Sequence, residues 1–186
     1  WSAGFGTKYA DPGTLPTGYN GFSVAFGTND IAVAHPTSPR VSTYPWSAGF
    51  GTKYADPGTL PAGTGIDIAF GTSDIAVAHA TSPRVSAYPW SAGFGTKYAD
   101  PGTLPTGHGY GVAFGASDIA VAHFTSPFVS AYPWSAGFGT KYANPGTLPT
   151  GTGWDVAFGI TAGGGGGAAA TPPRVMRLFE GFKIKL

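Results

Sequence analysis

Apolar and polar positions along this chain alternate in short runs separated by turn residues, most clearly over residues 65–107. Gly65–Phe70 (Gly-Ile-Asp-Ile-Ala-Phe) alternates and then becomes wholly apolar, as a strand with a buried part does. Gly71, Thr72 and Ser73 are turn residues. Asp74–His79 (Asp-Ile-Ala-Val-Ala-His) sets Ile75 and Val77 on one side and Ala76 and Ala78 on the other. A large face and a small face suit a strand in the middle of stacked sheets. After a turn at 80–83, residues 84–89 predict a third strand. Residues 94–99, with Phe94, Thr96 and Tyr98 on one side, predict a fourth. The Pro- and Gly-rich stretch 100–107 leads into the next unit.

The whole unit recurs. Trp-Ser-Ala-Gly-Phe-Gly-Thr-Lys-Tyr-Ala starts at residues 1, 46, 90 and 134, and Asp-Ile-Ala-Val-Ala-His returns at 30, 74 and 118. A period near 44 with four short strands per copy predicts one all-β repeat domain over residues 1–186, a β-propeller of near-identical four-stranded blades. The chain begins in mid-blade, with a lone outer strand at 5–10, and so holds four blade equivalents from a circularly permuted start. The last blade, 160–186, is degenerate: its second strand gives way to five glycines and three alanines at 163–170, which pack nothing. Residues 174–179 read as its third strand, and the alternating tail 181–186 could be a further outer strand.

Composition changes this picture little. The 31 glycines and 17 prolines would suggest disorder, but 42% hydrophobic and 15% aromatic residues supply ample apolar area. A net charge of +1 with 10% charged residues gives no basic face for nucleic acid. No apolar run reaches the length of a membrane span, so no membrane partner is expected. Without cysteine there is no disulfide, thiolate metal site or thiol nucleophile.

The pattern "apolar-Ala-Phe…Asp-Ile-Ala-Val-Ala-His…Ser-Pro-Arg-Val-Ser-Ala-Tyr" resembles WD-repeat-type or YVTN-type propeller blades, and is similar to highly repetitive bacterial and phage-derived propellers. It lacks the Gly-His pair and the Trp-Asp dipeptide of WD repeats, so that family's hydrogen-bonded tetrad does not carry over. The resemblance implies a binding scaffold.

An open strand edge invites pairing. Residues 5–10 could finish the last blade within one chain, giving four blades. Alternatively two chains could exchange outer strands and share one eight-bladed ring, a homodimer; periods near 44 favour the larger ring.

Candidate chemistry lies where the copies differ. Ahead of each first strand they differ at Tyr19 and Phe22, Ile66 and Asp67, His108 and Tyr110, and Trp154 and Asp155. After each second strand they differ at Phe124, and at Arg40, Arg84 and Phe128. In an antiparallel blade both sets emerge at one end of the ring, which makes them a candidate rim for a protein ligand. Drift at exposed positions after duplication is the competing reading. Trp46, Trp90 and Trp134, with Tyr54, Tyr98 and Tyr142, could instead stack on sugars in a lectin-like propeller with one glycan site per blade, or simply pack between blades.

His35, His79 and His123 recur because the unit recurs, and strand-end hydrogen bonding explains them better than a metal. Asp30, Asp74 and Asp118 read as turn-capping residues. No paired carboxylates, catalytic triad or phosphate loop is found, and Gly163–Gly167 lacks the lysine and the helix such a loop needs. The expectation is a non-enzymatic repeat scaffold or binding module without cofactor, associated with proteins or with a virion or cell surface. A hydrolytic or lactonase-type enzyme on the same fold is the remaining possibility.

Overall fold

The computed structural model describes residues 6–18 and 20–159, together with the backbone of 176–178. Three successive antiparallel sheets share one plan. β1 (Ser23–Phe26), β2 (Asp30–Ala34) and β3 (Val41–Pro45) form the first; β4 (Gly65–Phe70), β5 (Asp74–His79) and β6 (Val85–Pro89) the second. β7 (Gly109–Phe114), β8 (Asp118–His123) and β9 (Val129–Pro133) form the third. A fourth, two-stranded sheet pairs β10 (Val156–Phe158) with β11 (Met176–Leu178). Each of the three-stranded sheets is a meander, with β2, β5 or β8 central.

The alternation in the central strand is what stacks the sheets. Ile75 and Val77 pack, with Ile68 and Tyr88, onto Ala32, Ala34 and Val41 of the sheet before. From the other side of the same strand, Ala76 and Ala78 receive Val112, Ile119, Val121 and Tyr132 of the sheet after. Ala120, Ala122 and Val129 then take Val156. Each blade thus has a large leading face and a small trailing face, and burial of large side chains in each junction drives the stack. First strands β1, β4, β7 and β10 neighbour one another across the junctions, with Phe70, Phe114 and Phe158 lying against Gly27, Gly71 and Gly115 of the preceding blade.

Two expectations are corrected. The fourth strand is not one. Beside β6 the chain keeps an isolated bridge, Trp90 to Phe94, and the bonds Gly95 N–H to the Pro89 carbonyl and Tyr98 N–H to the Ala87 carbonyl, both 2.9 Å. The outer segment thus advances three residues while its partner advances two, which breaks the ladder. The same holds at 51 and 54 beside β3, and at 139 and 142 beside β9. The fourth sheet also departs from plan: β11, expected as a third strand, pairs directly with β10, Phe158 opposite Met176, as Phe70 stands opposite Ile75. With the second-strand pattern lost from the sequence, the open side of β10 takes the next strand-forming segment. Residues 160–175 and the tail 181–186 lie outside the described residues.

Invariant parts of the repeat are structural. Tyr44, Tyr88 and Tyr132, fully buried, donate to the carbonyls of Thr14, Thr59 and Thr103 in the Pro-Gly-Thr-Leu-Pro loops at 2.7–2.8 Å. Three Ser-Pro bonds, at Pro39, Pro83 and Pro127, are cis.

Candidate functional site

At the end of the stack where the first strands begin, four blades contribute to one cavity of about 360 Å³. It is lined by Phe22, Ser23, Ile66, Asp67, Tyr110, Trp154 and Asp155. These residues are equivalents. Strand register sets Ser23 opposite Ala34, Asp67 opposite Ala78 and Gly111 opposite Ala122. One position therefore reads Ser23, Asp67, Gly111, Asp155, and the position before it reads Phe22, Ile66, Tyr110, Trp154.

Local backbone aims these side chains. Between Gly65 and Asp67, and again between Gly109 and Gly111, the first strand gains one residue on its partner. Ile66 and Tyr110 are the extra residues of these β-bulges, a device that re-aims a side chain and often sits beside functional sites. Gly65 fixes the approach: a Cβ there would stand 2.3 Å from the Arg40 carbonyl oxygen, and Gly109 and Gly153 meet Arg84 and Phe128 in the same way at 2.4 Å.

Asp67 is the polar centre. Its Oδ1 accepts from the Ser23 hydroxyl at 2.5 Å and its Oδ2 from Val112 N–H at 2.8 Å, so one carboxylate joins the first three blades. Desolvation raises its pKa and the nearby Asp155 charge adds to this, while the donors from Ser23, Val112 and Ile68 pull the other way. Asp155 is exposed, and its Oδ1 accepts Val156 N–H at 2.7 Å. Gly111 leaves room between the two acids: a Cβ would come within 2.7 Å of Asp155 Cα.

The aromatic wall is continuous. Tyr110 and Trp154 stack at 4.7 Å between centroids and 24° between planes. Phe124 meets Tyr110 at 6.3 Å and His108 at 6.5 Å, and His108 meets Tyr110 at 6.4 Å. Phe22, Phe124 and Trp154 are more than half exposed.

Of the expected rim residues, the cavity gathers Phe22, Ile66, Asp67, Tyr110, Trp154 and Asp155, with His108 and Phe124 attached through their rings. Arg40, Arg84 and Phe128 stand apart. They turn the second strand into the third at φ of 77°, 76° and 68°, and their carbonyls accept the N–H of His35, His79 and His123. Both arginine side chains donate back to their own turns, at the Pro36 and Ala80 carbonyls. Tyr19 lies outside the described residues. Sequence reasoning missed Ser23, although comparing it with Asp67, Gly111 and Asp155 as copies of one position would have found it.

The second aromatic set sits at the opposite end, inside junctions. Trp46, Trp90 and Trp134 each make three edge-to-face contacts, with centroids 5.0–5.4 Å apart: Trp90 with Tyr54, Phe70 and Phe94, Trp134 with Tyr98, Phe114 and Phe138, and Trp46 with Tyr9, Phe26 and Phe50. A carboxylate ties each junction. Asp30 accepts from Tyr54 of its own blade at 2.9 Å and from Trp90 Nε1 of the next at 3.0 Å. Asp74 accepts likewise from Tyr98 at 2.8 Å and Trp134 at 3.0 Å. Burial, then the Asp74 carboxylate, pushes the Tyr98 phenol up to about 12. Tyr142 donates to Asp118 at 2.8 Å.

A larger cavity, about 480 Å³, is lined by Asp118, Val129, Ala131, Tyr142 and Phe158 among others. The counterparts of Asp118, Val129, Ala131 and Tyr142 in the preceding blade face the next blade, and those of Phe158 face the blade before, so this cavity belongs to a junction. Among the described residues no group of three or more His, Asp or Glu gathers as a metal site, and no helix is long and apolar enough to cross a membrane.

Repeated antiparallel sheets stacked in this way define an all-β, propeller-like repeat fold. Among solved structures the chain is similar to two computationally designed propeller-like proteins. Ika4 aligns with TM-score 0.59 and 9% identity, over 84% of this chain and 89% of that one. Ika8 aligns with TM-score 0.56 and 11% identity, over 74% of this chain and 40% of that one. At such identities the likeness concerns the fold alone. No protein-family model and no curated protein matches the chain, so no WD-repeat or YVTN family is identified.

Proposed function

We propose that this protein is a non-enzymatic binding module, in which near-identical blades form a rigid support for one recognition cavity. The observation that carries this reading is the placement of variation. The copies agree through the Val/Ile-Ala-Phe that ends each first strand, yet differ at the two positions before it, which meet in one concave site. Drift at scattered exposed positions gives no reason for this convergence. The cavity is of ligand size, with an apolar wall and a few convergent polar groups. A glycan site on every blade is not supported, because Trp46, Trp90 and Trp134 are engaged in the junctions.

The test makes the blades alike. Phe22, Tyr110 and Trp154 are replaced together by the isoleucine that blade two carries at this position. We expect the uniform chain to melt within a few degrees of the parent. Thermal shifts given by members of a panel of amines, methyl glycosides and carboxylic acids should vanish. Equal shifts in both chains would refute the reading.

We also propose that each blade is completed by its outer segment and that two chains share one ring. Tyr9 lies against Trp46 as Tyr54 lies against Trp90, which sets residues 6–10 as the outer segment of a blade preceding the first. Val24 is 57% exposed, whereas its counterparts Ile68, Val112 and Val156 are 4%, 4% and 3% exposed. Among the described residues nothing covers the leading face of the first blade as it covers the others, and a second chain can.

A further inference from the structure

We infer that the cavity at the head of the first strands selects an organic cation, an alkylated ammonium group, by its aromatic wall and two carboxylates. This rests on the binding-module reading of the same site and names its ligand class.

Of the described residues that line the cavity, Asp67 and Asp155 carry negative charge and none carries positive charge. Lys53, Lys97 and Lys141 face their own outer loops, at Asp56, Asp100 and Asn144. Arg40 and Arg84 are bonded to their turns. Burial first, and then the neighbouring Asp155 charge, raise the pKa of Asp67, and the two like charges face a cavity whose described lining supplies no counter-charge. A cation entering there relieves that repulsion.

Ring chemistry points the same way. Tyr110 and Trp154 stack on each other, and Phe22 and Trp154, both more than half exposed, offer negative π-surface at the cavity they line. Such faces attract a cation, most strongly when it sheds water, and aromatic cages for alkylammonium groups use this attraction. The choice over a sugar follows from donors and acceptors. Stacking a sugar leaves hydroxyl groups that need partners, and among the described residues the lining side chains offer Ser23, Tyr110, the indole N–H and two carboxylates. The Ser23 proton and both oxygens of Asp67 are already engaged. A quaternary ammonium needs no directed hydrogen bond, only field and contact, and this cavity supplies both.

The probe is choline, titrated calorimetrically into the full chain at low salt. Two uncharged controls accompany it: 3,3-dimethylbutan-1-ol, which has the same shape, and methyl glucoside. We expect choline to bind once per chain, at least tenfold more tightly than the alcohol. Asp155→Asn should weaken it about tenfold while keeping the bond to Val156 N–H, and Trp154→Ala should weaken it at least as much. Added salt should weaken it further. If the alcohol binds as well as choline, or if methyl glucoside binds in a Trp154-dependent way, the cation assignment is overturned and the binding-module reading stands. If choline binds and neither variant changes it, the site assignment is overturned. If no probe of any class binds, both readings fall.

Discussion

His35, His79 and His123 close the central strands with no exposed surface. His79 Nδ1 lies 2.8 Å from the Thr81 carbonyl, which can only accept. The ring proton therefore sits on Nδ1, and Nε2, 3.0 Å away, accepts from the Ser86 hydroxyl. Burial pulls all three imidazoles below their ordinary value, His79 to about 4. Unfolded imidazoles take up protons near pH 6.5, and the folded ones resist until far lower. Stability is therefore full above pH 6.5 and is lost as pH falls toward 4, by roughly 3 kcal/mol for His79 alone. Urea midpoints should hold between pH 7.5 and about 6.5 and then fall steadily to pH 4.5, and a flat series would contradict this assignment. The cavity was half legible at this scale. Phe22, Tyr110 and Trp154 stand out as large residues at a variable position, but copies at 1 and 46 are 45 residues apart and the others 44. The extra residue lies before β1, so counting back 45 sets Phe22 beside Asp67. Counting instead from Asp-Ile-Ala-Val-Ala-His, at 30 and 74, makes Ser23 the counterpart of Asp67, as the strand register does.

Among the elements, the central strands were the most readable. Ile-Ala-Val-Ala announces two faces of unequal size, and the structure uses both, large onto small, in successive junctions. The outer segments were misread because Phe94, Thr96 and Tyr98 alternate like a strand. Their role is set instead by what they reach. Tyr98 and Trp134 come from different blades and converge on Asp74, which is 7% exposed. Removing that carboxylate leaves two donors without an acceptor in one junction. Asp74→Ala should cost about 2–4 kcal/mol in urea unfolding, a buried charged acceptor being worth more than a neutral one. Tyr98→Phe should cost ~1 kcal/mol, since it removes one donor and leaves the carboxylate bonded to Trp134. Equal costs for the two variants would mean that the carboxylate does not tie the blades together. The bulges at Ile66 and Tyr110 were not legible, because an inserted residue leaves the composition of the strand unchanged and shows only in its pairing.

For the whole molecule, repetition implies that every face is one half of a junction. The leading face of the first blade carries Phe22, Val24 and Phe26, all more than half exposed, and in the two following blades the counterparts of Val24 and Phe26 are packed in junctions. Burying such side chains contributes about 1.5–3 kcal/mol each, so an uncovered leading face favours association over a lone arc. Covering it with the trailing side of another chain extends the stack by the same contacts that already build it. The mass of the protein in solution reports whether two chains share the ring. By light scattering on a sizing column, the chain of 18.9 kDa should run at twice its own mass, and Val24→Asp should return it to the mass of one chain. A parent protein holding the mass of a single chain over a wide concentration range would contradict the shared ring.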